Sequence, residues 1–377
     1  MMTTGILEAL TPVQQDRAIE KNTRFARPSF WLQLALLAGL AMGPLLTPSF
    51  RAMDVMTKVM IFSVAVASYD LILGYTGILS LAHVTFFGIG AYSMALVAHH
   101  GGEAAWHHIP QAMVIAAILS AALAVCLAFF SLRVKAIFFT MMSLAFAEFM
   151  HILGVQWHSF TMGEDGVSFK LAGIFDVAWH GGTFMGTNVN GRLMIYYFIL
   201  VVAVILFLGL VRFVRSPVGR VLKSIRDNEQ RSIALGYKVF HYKVLSIVFG
   251  SVAAALSGVL FAMWLGYVNP DSTLGNPVML NMLLMVIIGG LGTLYGGILG
   301  AAFIQTAEAW LPDLQKLTET LLPTMEFAQR MAERWILYFG ILFILVVIFF
   351  PKGIIGTARE ITARKKQNNF EEGANHA

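Results

Sequence analysis

The chain is a succession of apolar runs, each close to the length of a helix that crosses a bilayer, and this feature limits its fold more than any other. A helix needs about 20 mostly apolar residues to span the hydrocarbon core. Runs of that kind occupy residues 30–46, 55–73, 78–98, 111–132, 136–157, 193–211, 244–268 and 335–350. Residues 278–307 are equally apolar but are interrupted by Gly289, Gly290, Gly292, Gly296 and Gly297. The interruption predicts two short helices, over 278–290 and 294–309. The expected fold class is all-α, a polytopic transmembrane helical bundle of about ten spans with glycine-broken helices. Charged residues make up only 12% of the sequence and hydrophobic ones 58%. A soluble domain carries about 25% charged residues, so lipid must cover much of this surface.

Charge orders the loops, because cytoplasmic loops carry an excess of Lys and Arg. Arg17, Lys21, Arg24 and Arg27 put the tail 1–29 inside. Arg133 with Lys135, the basic stretch 212–243, and the tail 351–377 with Lys352, Arg359, Arg364, Lys365 and Lys366 belong on the same side. Residues 99–110 and 266–277 have no Lys or Arg, and 158–192 has only Lys170 and Arg192, so these face outward. Two inner tails demand an even number of crossings. The broken segment 278–309 must then return to the side it entered from, as two short crossings or a re-entrant hairpin, and 310–334 becomes an outer loop with acidic excess. The division is a cytoplasmic tail 1–29, a transmembrane domain 30–350 and a cytoplasmic tail 351–377. The first 29 residues lack the apolar core of a signal peptide, so insertion is expected to begin with the first run.

Two glycine-broken places stand out: Gly74, Tyr75, Thr76 and Gly77, followed by Ser80, and Gly289, Gly290, Leu291, Gly292 and Thr293. Irregular backbone at membrane depth is tolerated only where protein buries it or a wet cavity receives it, and transporters place solute near paired breaks of this type. Gly74, Thr76, Gly77, Ser80, Gly289, Gly290, Gly292 and Thr293 are therefore candidate translocation-pathway residues. Tight turns at the bilayer surface are the alternative, and both readings stay open. In run 244–268, Ser246, Gly250, Ala254, Gly258 and Ala262 recur every fourth residue, with Gly296 and Gly300 as a shorter version. Such a stripe lets another backbone approach closely, within the subunit or across a seam to a second one.

Ionisable residues inside spans are expensive and mark function by default. Asp70 lies near the inner end of its run, and Glu148 and His151, three residues apart, share a helix face. They are the intramembrane polar candidates, for a proton relay, a ligand contact or a simple hydrogen-bonded pair. Glu308, near a span end, is expected to reach water. His99, His100, Glu103, His107 and His108 form a loop with imidazole and carboxylate groups but no fixed metal spacing, and Gly163, Glu164, Asp165 and Gly166 lack the ligand spacing of a calcium loop. Cys126, the sole cysteine, reads as a small packing residue. Metal-protease, nucleophile-elbow, dinucleotide and phosphate-loop signatures are all missing. No catalytic residue, metal or cofactor is expected, and ATP-driven transport would need hydrolysis by another polypeptide.

The basic stretch between runs six and seven holds the densest local signals. Ser216 can cap a helix with Pro217 at its first position, where a missing N–H costs nothing. Val218, Val221, Leu222 and Ile225 fall at helical spacing, with Arg220, Lys223 and Arg226 around them. Asp227 and Asn228 suggest a break and a new cap, and Gly236 closes a second short helix. A short amphipathic helix outside the bilayer either lies on anionic headgroups or docks on a cytoplasmic partner.

At this loop the sequence resembles the permeases of branched-chain amino acid ABC importers, the LivM-like family. The resemblance also rests on Gly74-Tyr75-Thr76-Gly77-Ile78-Leu79-Ser80-Leu81-Ala82-His83 with Phe86-Phe87-Gly88-Ile89-Gly90-Ala91-Tyr92, and on Ser131-Leu132-Arg133 with Phe138-Phe139-Thr140-Met141 and Ala145-Phe146-Ala147-Glu148. Further matching blocks are Thr161-Met162-Gly163-Glu164-Asp165-Gly166, Ile287-Ile288-Gly289-Gly290-Leu291-Gly292-Thr293 and Phe349-Phe350-Pro351-Lys352-Gly353. Arg231, Ser232 and Ile233 stand where such permeases more often have small or acidic residues. The resemblance implies a membrane-spanning subunit of an importer that works by alternating access. Its partners would be a second related permease, two cytoplasmic ATPases and a periplasmic solute-binding protein. Pro217, Arg220, Arg226, Asp227, Asn228, Glu229, Ala234 and Gly236 would then couple the subunit to the ATPase. The solute would be a branched-chain amino acid, or urea, a short amide, or an aromatic or other small carboxylate. The rival class is an ion-coupled secondary transporter, with Asp70 and Glu148 as coupling residues, and a membrane enzyme stands third.

Overall fold

The structure, a computed structural model, describes residues 39–44, 49–101, 105–132, 136–176, 179–184 and 187–310, with a few isolated positions beyond, Asp313 and Gly353 among them. The tail 1–29, most of 354–377, most of runs 30–46 and 335–350, and most of the loop 310–334 lie outside the described residues. Twelve helices follow in chain order among those described: α1 (Phe50–Thr76), α2 (His83–His100), α3 (His108–Ser131), α4 (Ala136–Gln156), the short α5 (His158–Thr161), α6 (Gly191–Arg215), α7 (Pro217–Asp227), α8 (Glu229–Ala234), α9 (Val239–Leu265), the short α10 (Pro270–Thr273), α11 (Asn276–Gly289) and α12 (Leu294–Trp310). Six stretches among the described residues are long and apolar enough to cross a membrane: α1, most of α3 and α4, α6, α9 and 270–289. α2 and α12 are apolar but shorter, at 18 and 17 residues.

The helix boundaries follow local chemistry. α1 ends at Gly77 with φ +76°, whose N–H turns back to the carbonyls of Ile72 and Leu73, and α9 ends at Gly266 with φ +67°. The left-handed conformation that terminates each helix costs glycine nothing. The apolar run 78–98 therefore becomes helical only from His83, and residues 77–82 climb back beside α1. Run 244–268 loses its last residues to a strand. Departing from an all-α fold, two small antiparallel ladders form away from the basic loops: β1 (Val167–Ser168) pairs with β4 (Tyr267–Val268), and β2 (His180–Phe184) pairs with β3 (Thr187–Asn190). Hydropathy carries no signal for such short loop pairings.

α1 is the hub of the bundle. Its most apolar window is 83% buried, against 28% for α3, 22% for α4 and 33% for α6. α9 lies against α2, α3 and α1, and α12 lies against α1 and α11. Lipid is as apolar as the helices, so close van der Waals packing rather than water exclusion holds them together. The small-residue stripe does this inside the subunit. A Cβ on Gly258 would overlap the Phe87 carbonyl, and one on Gly90 would overlap the Ala255 carbonyl. Gly250 faces Ile72 and the Ser68 carbonyl. Phe62, Phe87 and Phe261 cluster where α1, α2 and α9 meet, with ring centroids 5.3–5.8 Å apart. The wholly buried His83 bonds Ser68 Oγ at 2.9 Å.

The two ends of the bundle differ in chemistry. At one end lie Arg212, Arg215 and the helices α7 and α8. At the other, Trp264 donates its Nε1–H to Asp54 Oδ1 at 2.7 Å, Asp54 pairs with Lys58 at 2.9 Å, and the Arg192 guanidinium stacks over Phe50 and Trp264. Arg51 bonds Asp313 and the Ala309 carbonyl there. A belt of Trp and charge is what a headgroup layer selects. From Asp54 to Asp70, α1 rises about 24 Å, most of a hydrocarbon core.

Candidate functional site

The basic stretch 212–243 folds as a helical hairpin at one end of the bundle. Ser216 Oγ accepts from the Gly219 N–H and Pro217 opens α7. Asn228 ends α7 and caps α8, its Oδ1 accepting from the Arg231 N–H at 2.9 Å. Ser224 and Ser232 bond at 3.0 Å to join the two helices, and Glu229 pairs with Lys243 at 2.8 Å. α8 stops at Ala234, and Gly236 with φ +87° then turns the chain toward α9. Pro217, Arg220, Arg226, Asp227, Asn228, Glu229, Ala234 and Gly236 are all exposed.

The apolar face of α7 is consumed by its own subunit. Gly219, Leu222 and Ile225, three residues apart, are buried. The exposed apolar surface lies instead on α8 and the turn after it, at Ile233, Leu235 and Tyr237, which are 50%, 66% and 39% exposed. Beside it a groove of about 410 Å³ runs between Leu132, Ile233 and Phe240. Periodicity pointed to α7 because its stripe is long. Only the tertiary packing reveals that Ile233 on α8 and Leu235 after it are left exposed.

α7 also reaches inward. The Arg226 guanidinium bonds the Gly74 carbonyl, and Lys223 Nζ sits 5.1 Å above the Tyr75 ring. The second glycine break arrives at the same point, where the Gly292 N–H donates to Asp70 Oδ1 at 2.7 Å. Asp70 is 1% exposed, and its Oδ2 has no partner among the described residues. A side chain at Gly74 would overlap Asp70 and the Gly292 nitrogen. One at Gly292, where φ is +76°, would stand 2.7 Å from Arg226 Nη1 and 3.2 Å from the Gly74 carbonyl. Two breaks more than 200 residues apart in sequence thus form one junction with the hairpin helix seated on it.

The remaining pathway candidates cluster around this junction. Thr76 Oγ1 bonds Ser246 Oγ at 2.7 Å, and Ser80 is buried nearby in sequence. Gly289 and Gly296 press backbone to backbone and fix the turn between α11 and α12, while Thr293 Oγ1 donates to the Gly290 carbonyl at 2.6 Å. Gly353 also lies against Gly290. At Gly289 and Gly296 backbone touches backbone, a form of contact that a sequence pattern hints at only through its glycines.

The other polar candidates sit elsewhere. Glu148 and His151 approach each other only to 3.9 Å, and each has a nearer partner across α4: Asn276 Nδ2 donates to Glu148 Oε2 at 2.8 Å, and His151 Nε2 meets Asp271 Oδ1 at 3.0 Å. Glu308 does not simply reach water, since it accepts from Asn281 Nδ2 at 2.7 Å. A cavity of about 660 Å³ opens between α2, α3 and α4, lined by Tyr92, Leu119, Trp157 and Leu274. Among the described residues no three His, Cys, Asp or Glu side chains gather as metal ligands.

Residues 51–350 match the family model described as the branched-chain amino acid transport system / permease component. The chain is 26% identical over 323 residues to the high-affinity branched-chain amino acid transport system permease protein LivM of Salmonella typhimurium, covering 82% of this chain and 71% of that protein. It is 24% identical over 303 residues to the permease protein LivH of Escherichia coli, covering 78% and 91%. It is 29% identical over 173 residues to the permease protein BraD of Pseudomonas aeruginosa, covering 45% and 51%. No solved structure matches the chain. A family match over most of a chain whose helices can cross a membrane, and whose glycine blocks meet at one junction, makes this a multi-pass membrane protein that belongs to the branched-chain amino acid transport system permease family.

Proposed function

We propose that the chain is the membrane-spanning subunit of an ATP-binding-cassette importer in the bacterial inner membrane. It moves branched-chain amino acids, or small solutes like them, into the cytoplasm by alternating access. In this reading it crosses the bilayer about ten times, with both tails and the α7–α8 hairpin in the cytoplasm, in accord with the basic loops. It pairs with a second related permease, two cytoplasmic ATPases dock on the hairpins, and a periplasmic protein delivers solute to the far end.

The observation that carries this reading is the seating of Arg226 on the junction of the two glycine breaks. Exposed apolar residues on α8 offer a partner a handle, and α7 links that handle to the backbone of α1 and the α11–α12 turn. Closure of an ATPase dimer would displace the hairpin and rearrange the broken helices, so the two ligands act through one two-state element. Pro217, Arg220, Asp227, Asn228, Glu229, Ala234 and Gly236 shape the hairpin, and Gly74, Thr76, Gly77, Ser80, Gly289, Gly290, Gly292 and Thr293 form the moving junction. Asp70 and Glu148 would be coupling residues in an ion-driven secondary transporter. Asp70, bonded to the Gly292 backbone, serves the junction equally well.

The test is a double substitution, Ile233→Asp with Leu235→Asp, in the assembled transporter. Insertion and purification yield should hold, while the ATPases no longer co-purify and ATP-driven uptake falls to background. Retention of the ATPases by this variant defeats the docking role, and solute accumulation by the purified chain alone under a proton or sodium gradient defeats the importer reading.

A further inference from the structure

We propose that the face shared by α4 and α11 is a wall of the solute pathway. Its outer half is a polar station, Glu148 with Asn276 and His151 with Asp271, that receives the ammonium group of the solute. The inference rests on the permease reading and adds to it where the solute passes and by which end it is held.

Depth comes first. Thr140 Oγ1 donates to the Leu79 carbonyl, so the first turn of α4 stands beside the first glycine break. Glu148 is eight residues further along α4, about 12 Å toward the far end. α11 starts at Asn276 and ends at the second break, a rise of about 20 Å, well short of a hydrocarbon core. The Glu148–Asn276 bond therefore lies inside the membrane, as do Asp271 and the irregular backbone just before α11. Irregular backbone and carboxylates at that depth are tolerated when they are buried in protein or face water, not when they face lipid.

Exposure comes second. These groups are not buried in the subunit: the Glu148 side chain is 45% exposed and that of Asp271 76%. Asn276 is exposed too. Both helices then carry apolar residues from the polar station down to the glycine junction. On α4 the exposed Leu144 lies one turn below Glu148, and on α11 the exposed Leu280 is followed by the half-buried Leu284 and Ile287 and, beyond the helix end, by the exposed Leu291. The two stripes meet at the Glu148–Asn276 bond. A water-filled passage along this face explains why two carboxylates sit on it and why it ends at the element that α7 can move. The apolar stripe below suits an aliphatic side chain travelling the same way.

Charge sets the ligand. Two carboxylates against one imidazole leave the station negative whether or not His151 is protonated. It attracts a cationic ammonium and repels a bare carboxylate, so an amino acid passes amino group first and a carboxylic acid without an amine is disfavoured.

Thiol labelling in right-side-out vesicles tests this, with Cys126→Ser in the background because Cys126 is exposed. Leu280→Cys should react with water-soluble methanethiosulfonates. Val201→Cys, on the exposed face of α6, should stay inert. A cationic reagent should react with Leu280→Cys about tenfold faster than an anionic one, relative to free thiol, because a charged cleft concentrates counter-ions. Glu148→Gln with Asp271→Asn should remove that preference. Equal inertness of Leu280→Cys and Val201→Cys, or a preference unmoved by the two neutralisations, overturns the proposal. Failure of the permease reading shows separately, as unchanged amino acid uptake in cells deleted for the chain.

Discussion

Removing the Arg226 side chain isolates the contact between the hairpin and the glycine junction. The guanidinium bonds the Gly74 carbonyl across 152 residues of sequence. A hydrogen bond from a charged donor contributes about 1.5–3 kcal/mol. Arg226 is exposed, which places its loss at the lower limit, about 1.5 kcal/mol, or roughly tenfold in the balance between seated and unseated hairpin. Gly292→Ala attacks the same contact from the other side. It forces a left-handed alanine at a cost of about 1–2 kcal/mol, and its methyl would stand 2.7 Å from Arg226 Nη1. Because Gly292→Ala already displaces the guanidinium, adding Arg226→Ala should change little, and the double variant should match Gly292→Ala within about 0.5 kcal/mol. The assay is solute taken up per ATP hydrolysed by the assembled transporter in proteoliposomes. Arg226→Ala should lower that ratio about tenfold, with hydrolysis continuing uncoupled. A wild-type ratio in Arg226→Ala, or additive effects in the double variant, would refute a seated hairpin as the transmission element.

Gly258→Leu drives a side chain into the Phe87 carbonyl of α2 and should cost about 1–3 kcal/mol by overpacking, read as a lower midpoint of thermal unfolding in detergent; an unchanged midpoint means that α2 and α9 do not pack this closely. Asn228→Ala removes the acceptor for the Arg231 N–H and should cost about 1 kcal/mol of local helix stability, seen as faster hydrogen exchange over 229–234 with α9 unaffected.

Hydropathy and glycine placement were enough to read most of the membrane body. The runs at 55–73, 111–132, 136–157, 193–211 and 244–268 each contain a helix at nearly the expected bounds, and the glycines of 289–297 divide two short helices near the predicted break. Ser216, Pro217, Asn228 and Gly236 announced the hairpin because caps and left-handed turns are decided by neighbours in sequence. These signals are local, and a helix in lipid must satisfy its own backbone. Such elements can be read without knowing what surrounds them.

Tertiary structure decided what those elements touch. Periodicity marks a face as apolar but cannot say whether protein, lipid or a partner covers it, and only the fold shows that the stripe of α7 is buried in its own subunit while Ile233 and Leu235 stand exposed. Nor can spacing pair Asp70 with a backbone nitrogen 222 residues away, or separate Glu148 from its helix neighbour His151 to join it to Asn276. Those partners come from other helices, and their meeting depends on how closely glycine lets backbones approach, a property of the assembled bundle rather than of any one segment.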